Sequence, residues 1–346
     1  MFKASRGRLT GIVTALLSIW WLLAVARVDP FRGRTVISAQ TATAGSITGV
    51  GNFSHIVADL DRSVRFYRDV IGLEVGGPPR TFSGVEAMKV GNTPGARSRF
   101  TTLPIPGSPL GVELIEYLDI DRKPAHPRFQ DPGAANLILT VRDIDAIVAR
   151  VKKAGARITT AGGVPAIIPG GHRVMFVQDP DGFFVELFQP AQVPDAKTSP
   201  SSNVVASAFE IMVADTDRTM NLYRNGLGFD PQVASAFDGT KALMDTAGTP
   251  GAQFRRSAAR IPDSPITMAF LEFKDIDRTP QRTRVQDPGT VILQLLTRDA
   301  AAVTKAWKSV GGEVVTAGGE PINLGALSLV LLRDPNNIIL ELIERH

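Results

Sequence analysis

The chain contains no cysteine, so any chemistry falls to histidines, carboxylates, hydroxyls or a bound ion. Thiol nucleophiles, iron–sulfur clusters, disulfides and cysteine-ligated zinc are excluded. His172 follows Pro169-Gly-Gly171 just ahead of a strand-like stretch. An imidazole there suits general acid/base work near neutral pH, and the competing reading is an ordinary loop histidine. Arg97 and Arg99 precede Leu103 on another strand-like stretch; they could hold an anionic substrate or simply charge an exposed strand edge. His126, in the loop Pro124-Ala-His-Pro127, reads as a surface residue. Strand alternation puts Phe53, His55 and Val57 on one face and sets Glu113 opposite Glu116. Neither a Gly-rich nucleotide loop in the right setting nor a Ser nucleophile elbow occurs.

These residues sit in a unit that is written twice. Phe53-Ser-His-Ile-Val-Ala-Asp59 returns as Phe209-Glu-Ile-Met-Val-Ala-Asp215, an offset of 156. The same offset pairs Thr93-Pro-Gly-Ala96 with Thr249-Pro-Gly-Ala252, Asp119-Ile-Asp-Arg122 with Asp275-Ile-Asp-Arg278, and Gln130-Asp-Pro-Gly133 with Gln286-Asp-Pro-Gly289. It slips by one near the end, where Asp179-Pro180 meets Asp334-Pro335. The Pro/Ser-rich stretch around 191–202 reads as a linker between a first domain over 50–190 and a second over 203–346. A fainter repeat divides each domain. The first half has a strand over 52–58, a helix over 61–71 behind an Asp cap, and strand-like runs over 85–90, 98–103 and 111–117. The second half starts again with a strand over 136–141 and a helix over 144–154, and ends on a strand over 183–188. The expected class is α+β, a tandem duplication of paired βαβββ modules.

His55-Ile-Val-Ala-Asp-Leu-Asp-Arg-Ser-Val-Arg-Phe-Tyr-Arg-Asp-Val-Ile-Gly-Leu73, with Asp179-Pro-Asp-Gly-Phe-Phe-Val-Glu-Leu187, resembles the vicinal oxygen chelate superfamily of glyoxalases, extradiol dioxygenases, epimerases and bleomycin-binding proteins. The resemblance implies cups of strands around a small-molecule cavity and a pseudo-dimer within the chain. It also implies a divalent metal (Mn, Fe, Ni or Zn) in the first domain only, held by His55, Glu113 and Glu186. Asn136, where the family usually places a second histidine, is left as a substrate-binding residue beside Arg97 and Arg99, and His172 as the catalytic acid/base. An amide at that position makes iron-dependent ring cleavage the weaker reading. The second domain has Ile211, Ala269 and Ile292 at the corresponding positions and keeps only Glu341. Two functions stay open: a metal-dependent glyoxalase- or epimerase-type lyase or isomerase acting on vicinal oxygens, and a metal-free small-molecule binding protein.

Glu116 and Asp119 recur in both copies as part of Glu-x-x-Asp-Ile-Asp-Arg. The expected role is structural, as ion pairs with Arg122 or Arg128 that fix the crossover between modules. The formal charge of +4 comes from the first 49 residues, which hold Lys3, Arg6, Arg8, Arg27, Arg32 and Arg34 against Asp29. The remainder is near neutral and lacks the basic footprint of a nucleic-acid binder. A basic start followed by the uncharged run Leu9–Ala26 reads as an export signal or an uncleaved N-terminal membrane anchor. The body is then expected to be periplasmic or extracellular.

Overall fold

The structure is a computed structural model that describes residues 46–193 and 198–346. The expected export segment lies outside the described residues. Among the described residues no helix is long and apolar enough to cross a membrane.

Four modules follow one another. The first holds β1 (Ile47–Ile56), α1 (Leu60–Arg65) running into a π-helical turn at Phe66–Ile71, β2 (Arg80–Phe82), α2 (Val85–Val90), β3 (Arg97–Pro104) and β4 (Gly111–Leu118). The second holds β5 (Ala135–Val141), α3 (Ile144–Lys153), β6 (Ala166–Ile168), β7 (His172–Gln178) and β8 (Phe184–Gln189). The third has β9 (Val204–Met212), α4 (Thr216–Leu227), β10 (Asp230–Gln232), α5 (Lys241–Ala247), β11 (Gln253–Arg260) and β12 (Thr267–Lys274). The fourth has β13 (Val291–Thr297), α6 (Ala300–Ser309), β14 (Glu313–Val314), β15 (Ile322–Asn323), β16 (Leu327–Arg333) and β17 (Ile339–Arg345).

Each module enters its first helix through the same device. Asp59, Asp143, Asp215 and Asp299 adopt extended backbone, and their side chains accept the amide N–H three residues on. This satisfies one of the free donors at each helix start. The stretch 85–90 is a helix, not the expected strand: Ala87, Met88 and Val90 are its buried residues. That spacing is helical rather than alternating.

The strands form two sheets, and neither belongs to one repeat. The first sheet runs β14-β16-β17-β13-β1-β4-β3-β2 with β15 attached to β16, and the second runs β10-β11-β12-β9-β5-β8-β7-β6. The first module therefore shares a sheet with the fourth, and the second with the third. The two repeats, over 50–190 and 203–346, therefore do not each close a sheet of their own. The first strands meet antiparallel at the centre of each sheet, β1 on β13 and β5 on β9.

The exchange is held by the crossovers around the duplicated Gln-Asp-Pro-Gly motif. Arg128 pairs with Asp131 and with Asp277 of the other repeat, and Arg284 pairs with Asp287 and Asp121. Asp131 Oδ1 also accepts from Thr279 N at 2.7 Å, and Asp287 Oδ1 from Lys123 N at 2.8 Å. Gly133 and Gly289 both sit at φ 96°; a Cβ would lie 2.4 Å from Asn336 O at the first and 2.3 Å from Ala125 O at the second. Only glycine lets the two chains approach so closely. Glu116 and Asp119 are structural too, but with other partners than expected. They pair with Arg99 and Arg97 on β3, while Arg122 donates to the carbonyls of Val57 and Ala58.

Candidate functional site

On β1 the alternation has a definite sense. Phe53, His55 and Val57 turn toward the helices, while Ser54 and Ile56 face the concave side of the first sheet. Ser54 stands in register with Glu113 of β4, and Gln294 of β13 with Glu341 of β17. Four polar side chains from both repeats thus meet on one surface. Ser54 Oγ donates to Glu113 Oε2 at 2.7 Å, and Gln294 Nε2 donates to Glu113 Oε2 at 2.8 Å and to Glu341 Oε2 at 2.9 Å. Asn52 N in turn donates to Gln294 Oε1 at 2.9 Å, which fixes the amide's orientation. Gly51 makes room for it, since a Cβ there would lie 2.8 Å from Gln294 Cβ.

The surroundings are apolar: Ile56, Tyr117, Ile292, Leu329, Leu331 and Ile339 form one buried cluster. Burial pushes the Glu113 carboxyl up, against the hydrogen bonds from Ser54 and Gln294 and the charge of Arg80. Glu341 is pushed up to about 7 by burial and by the neighbouring Glu113, against the hydrogen bond from Gln294. Two carboxylates that share an amide in an apolar cup cannot both ionise cheaply, so they exchange a proton near neutral pH or take up a cation. Arg80, whose guanidinium lies 4.8 Å from the Phe100 ring centroid, is the cation nearest this group in effect.

His55 lies on the opposite side of the sheet. It is fully buried, with Nε2 3.1 Å from Asp179 Oδ2 and its ring 4.8 Å from that of Phe183. Burial disfavours the imidazolium, but the charges of Asp179 and Asp181 outweigh it and raise His55 above its ordinary value. His55, Asp179 and Asp181 bring their ligand atoms within 4.8 Å of one another. Neither ring nitrogen has a well-formed hydrogen bond, so this buried group in the first repeat can chelate a divalent ion. The carboxylates already hold local structure: Asp179 accepts from the amides of Asp181 and Phe183, and Asp181 from Ala58 N and Ser63 Oγ. The second repeat keeps that frame with Asp334 and Asn336 and has Ile211 in place of the histidine. The sheet separates the cluster from the concave face, so an ion there would tie β1 to the turn before β8.

The expected ligand set is therefore not one site. Glu113 is in the first sheet, Glu186 and Asn136 are in the second, and His55 faces away from both concave surfaces. The exchange of modules between sheets separates them. Arg97 and Arg99 do not line a cup either. They share the outer face of β3 and are committed to Asp119, and to Glu116 and Asp61. His172 opens β7 at the rim of the second sheet. Its Nδ1 accepts from Ala191 N at 3.1 Å and its ring lies 5.4 Å from Phe188, while partial burial lowers its pKa. It is far in the fold from the Glu113 group. Sequence reasoning missed Ser54, Gln294 and Arg80. For Ser54 the signal was present, as the neighbour of His55 on the other strand face.

Two sheets of paired βαβββ modules with buried polar groups on their concave faces define a glyoxalase-type protein. The profile of the Glyoxalase/Bleomycin resistance protein/Dioxygenase superfamily matches residues 49–187, and the chain belongs to that superfamily. It is 30% identical over 151 residues to 2-epi-5-epi-valiolone epimerase of an Actinomyces species, covering 42% of this chain and 81% of the relative. It is 26% identical over 179 residues to lactoylglutathione lyase GLX1 of Arabidopsis thaliana, covering 51% of this chain and 54% of that protein, so it spans about half of that relative's length. Glyoxalase I from Zea mays superposes with a TM-score of 0.53 at 18% identity, over 85% of this chain and 91% of that one, which supports the fold.

Proposed function

We propose that the concave face of the first sheet is the reaction site of a lyase or isomerase that moves a proton on a small molecule with vicinal oxygens. The observation that carries this is the carboxyl pair Glu113 and Glu341 on one amide, with Glu341 held near 7. Glu341 in its ionised form takes a proton from the carbon beside a carbonyl and returns it to the adjacent carbon or the other face. Glu113, fixed by Ser54 and Gln294 and raised by burial, accepts a hydroxyl of the substrate and so orients it. Ser54 and Gln294 keep the two carboxyls in place. A divalent ion fits the donor chemistry of this pair, with Glu113 and Glu341 as its ligands, and when bound would polarise the substrate oxygens. The two curated relatives, a lactoylglutathione lyase and an epimerase, favour proton transfer over ring cleavage.

The test is hydrogen exchange. S-lactoylglutathione and dihydroxyacetone are incubated with the protein in D2O, with and without Mn, Ni or Zn, and deuterium at the carbon next to the carbonyl is followed by NMR. Uptake that Glu341→Gln abolishes supports the reading; no uptake under any metal condition overturns it. We propose also that the chain is exported, on the strength of the basic start and uncharged run of its first residues. A fusion of residues 1–44 to a reporter active only outside the cytoplasm decides this, and a silent reporter refutes it.

A further inference from the structure

Between α1, the end of α3 and the turn before β8 lies a cleft of about 740 Å³. A second cleft, of about 410 Å³, runs beside it toward Ala247 and Gly248 of the third module, and the two share His126, Arg157, Gln178 and Gly182. The larger arm also holds Arg62 and Arg65. Its carboxylates are committed: Asp69 to Arg68, Asp181 to Arg62 and Ser63, and Asp179 to His55. In the smaller arm Arg128 is held by Asp131 and Asp277. Arg157 is exposed at the junction, and its side chain has no ion pair or hydrogen bond among the described residues. His126 is exposed too, with its ring against Gly182, where a Cβ would lie 3.1 Å from Nδ1.

The second repeat closes the same place with its own side chains. By the repeat offset and its one-residue slip, His126, Arg157, Gln178 and Gly182 correspond to Arg282, Glu313, Arg333 and Asn337. Glu313 bridges the two arginines, 3.1 Å from Arg282 Nη2 and 3.2 Å from Arg333 Nε. Arg333 also donates to Asn337 Oδ1 and to Thr283 O, and Asn337 Nδ2 donates to Thr283 Oγ1 at 2.9 Å. The cleft that remains there, of about 470 Å³, stops short of these residues and has Asn221 where the first repeat has Arg65. At one position of a duplicated frame, then, the first repeat carries a base where the second has an acid, and a glycine where the second has a space-filling amide. One copy is shut and internally paired; the other is open and cationic, with room for an anion from outside.

We propose that the junction of the two clefts binds a phosphoryl dianion, free or as the head of a phosphate monoester, on Arg157 and His126. The guanidinium is a planar fork that matches two phosphoryl oxygens. The imidazole adds a further donor, and keeps one N–H even when neutral. Arg62 and Arg65 extend the positive potential along the larger arm, so a doubly charged ligand gains more there than a monocarboxylate. Phe66, Val70 and Ala156 give that arm apolar sides for the organic part of a monoester. This site stands independently of the reaction assigned to the first sheet.

The experiment is calorimetric titration of the full chain with inorganic phosphate and with glycerol 3-phosphate, in EDTA and low salt at about pH 8, where both probes are dianions. Saturable binding of both is expected. Tighter binding of glycerol 3-phosphate assigns the monoester as the ligand, and equal binding assigns the phosphoryl group alone. Arg157→Glu, which places the second repeat's acid in the first, weakens both at least about tenfold, the order of one lost charge-assisted hydrogen bond. Gly182→Asn places there the side chain that fills the second repeat's cleft and changes no charge; it weakens both at least about tenfold as well. Arg345→Glu makes the same charge change outside the cleft and leaves affinity as it was, and circular dichroism confirms that each variant is folded. No saturation below about 10 mM, weaker than any specific site of this kind, overturns the proposal. So does undiminished binding by either cleft variant, or an equal loss in Arg345→Glu. Failure here alongside deuterium uptake in the first assay sinks this site alone.

Discussion

Replacing His55 by isoleucine gives the first repeat the residue that the second already has at that place, Ile211. In the wild-type chain Asp179 lies 3.1 Å from the His55 imidazole and, with Asp181, raises its pKa. In the second repeat Asp334 keeps the same local bonds, to the amides of Asn336 and Ile338 and the Tyr223 hydroxyl, and without a cation burial pushes it up to about 6. His55→Ile combined with Asp181→Asn gives the first repeat the residues that surround Asp334, and should place the carboxyl at 179 in that state. A carboxyl raised from an ordinary 3.8 to about 6 costs roughly 3 kcal/mol of stability once ionised, a cost that grows between about pH 4 and pH 6 and is constant above. The wild-type contribution has the opposite sense. His55 is raised in the folded state, so its stabilisation is complete below 6.5 and is lost as pH rises through the folded value. The gap between the two proteins should therefore open by about 3 kcal/mol from pH 4 to pH 6 and narrow again in the alkaline range. Urea unfolding in EDTA at half-unit steps from pH 4 to pH 9 measures it. A gap that stays flat between pH 4 and pH 6.5 would refute the assignment of a charged His55–Asp179 pair.

Deuterium uptake by the first-sheet site should rise as pH passes through about 7 and then level off, because Glu341 acts in its ionised form; a rate that falls over this range would exclude it as the base. Gly289→Ala and Gly133→Ala should each lower stability by about 1–3 kcal/mol or more, the usual cost of a side chain at strained positive φ with a backbone clash, and thermal unfolding would show it. After cleavage between residues 193 and 198, the two pieces should co-elute as one particle on gel filtration, since each sheet needs strands from both. Separate folded monomers would contradict the shared sheets.

Much of the fold was legible in the sequence because its causes are local. The 156-residue offset, the Asp caps at 59, 143, 215 and 299, and the turn at Asp179-Pro-Asp-Gly182 each act within a few residues. The stretch 85–90 misled because two valines in six residues favour a strand on propensity alone, and burial of Ala87, Met88 and Val90 on one side overrides it. Glu113 was named as a metal ligand through the family resemblance, and Glu341 as the residue of the second domain that matches Glu186. Neither observation could show that these two residues meet.

What the chain could not declare by itself is which module pairs with which. All four modules offer the same kind of open edge on their first strand, so the hydrophobic pattern is equally served by β1 on β5 or β1 on β13. The observed pairing brings Arg128 to Asp277 and Arg284 to Asp121, and lets the backbone approach closely at Gly133 and Gly289. That choice places Glu113 with Gln294 and Glu341, and leaves Asn136 and Glu186 with Glu210 and Arg256. The side of β1 on which His55 lies was equally undetermined, because alternation groups residues by face without saying which face is concave. Residue types, repeats and module boundaries are properties of the sequence; the polar groups on the two concave faces follow from the pairings of Ser54 with Ile292 and of Asn136 with Glu210, distant in sequence, which only the tertiary structure decides.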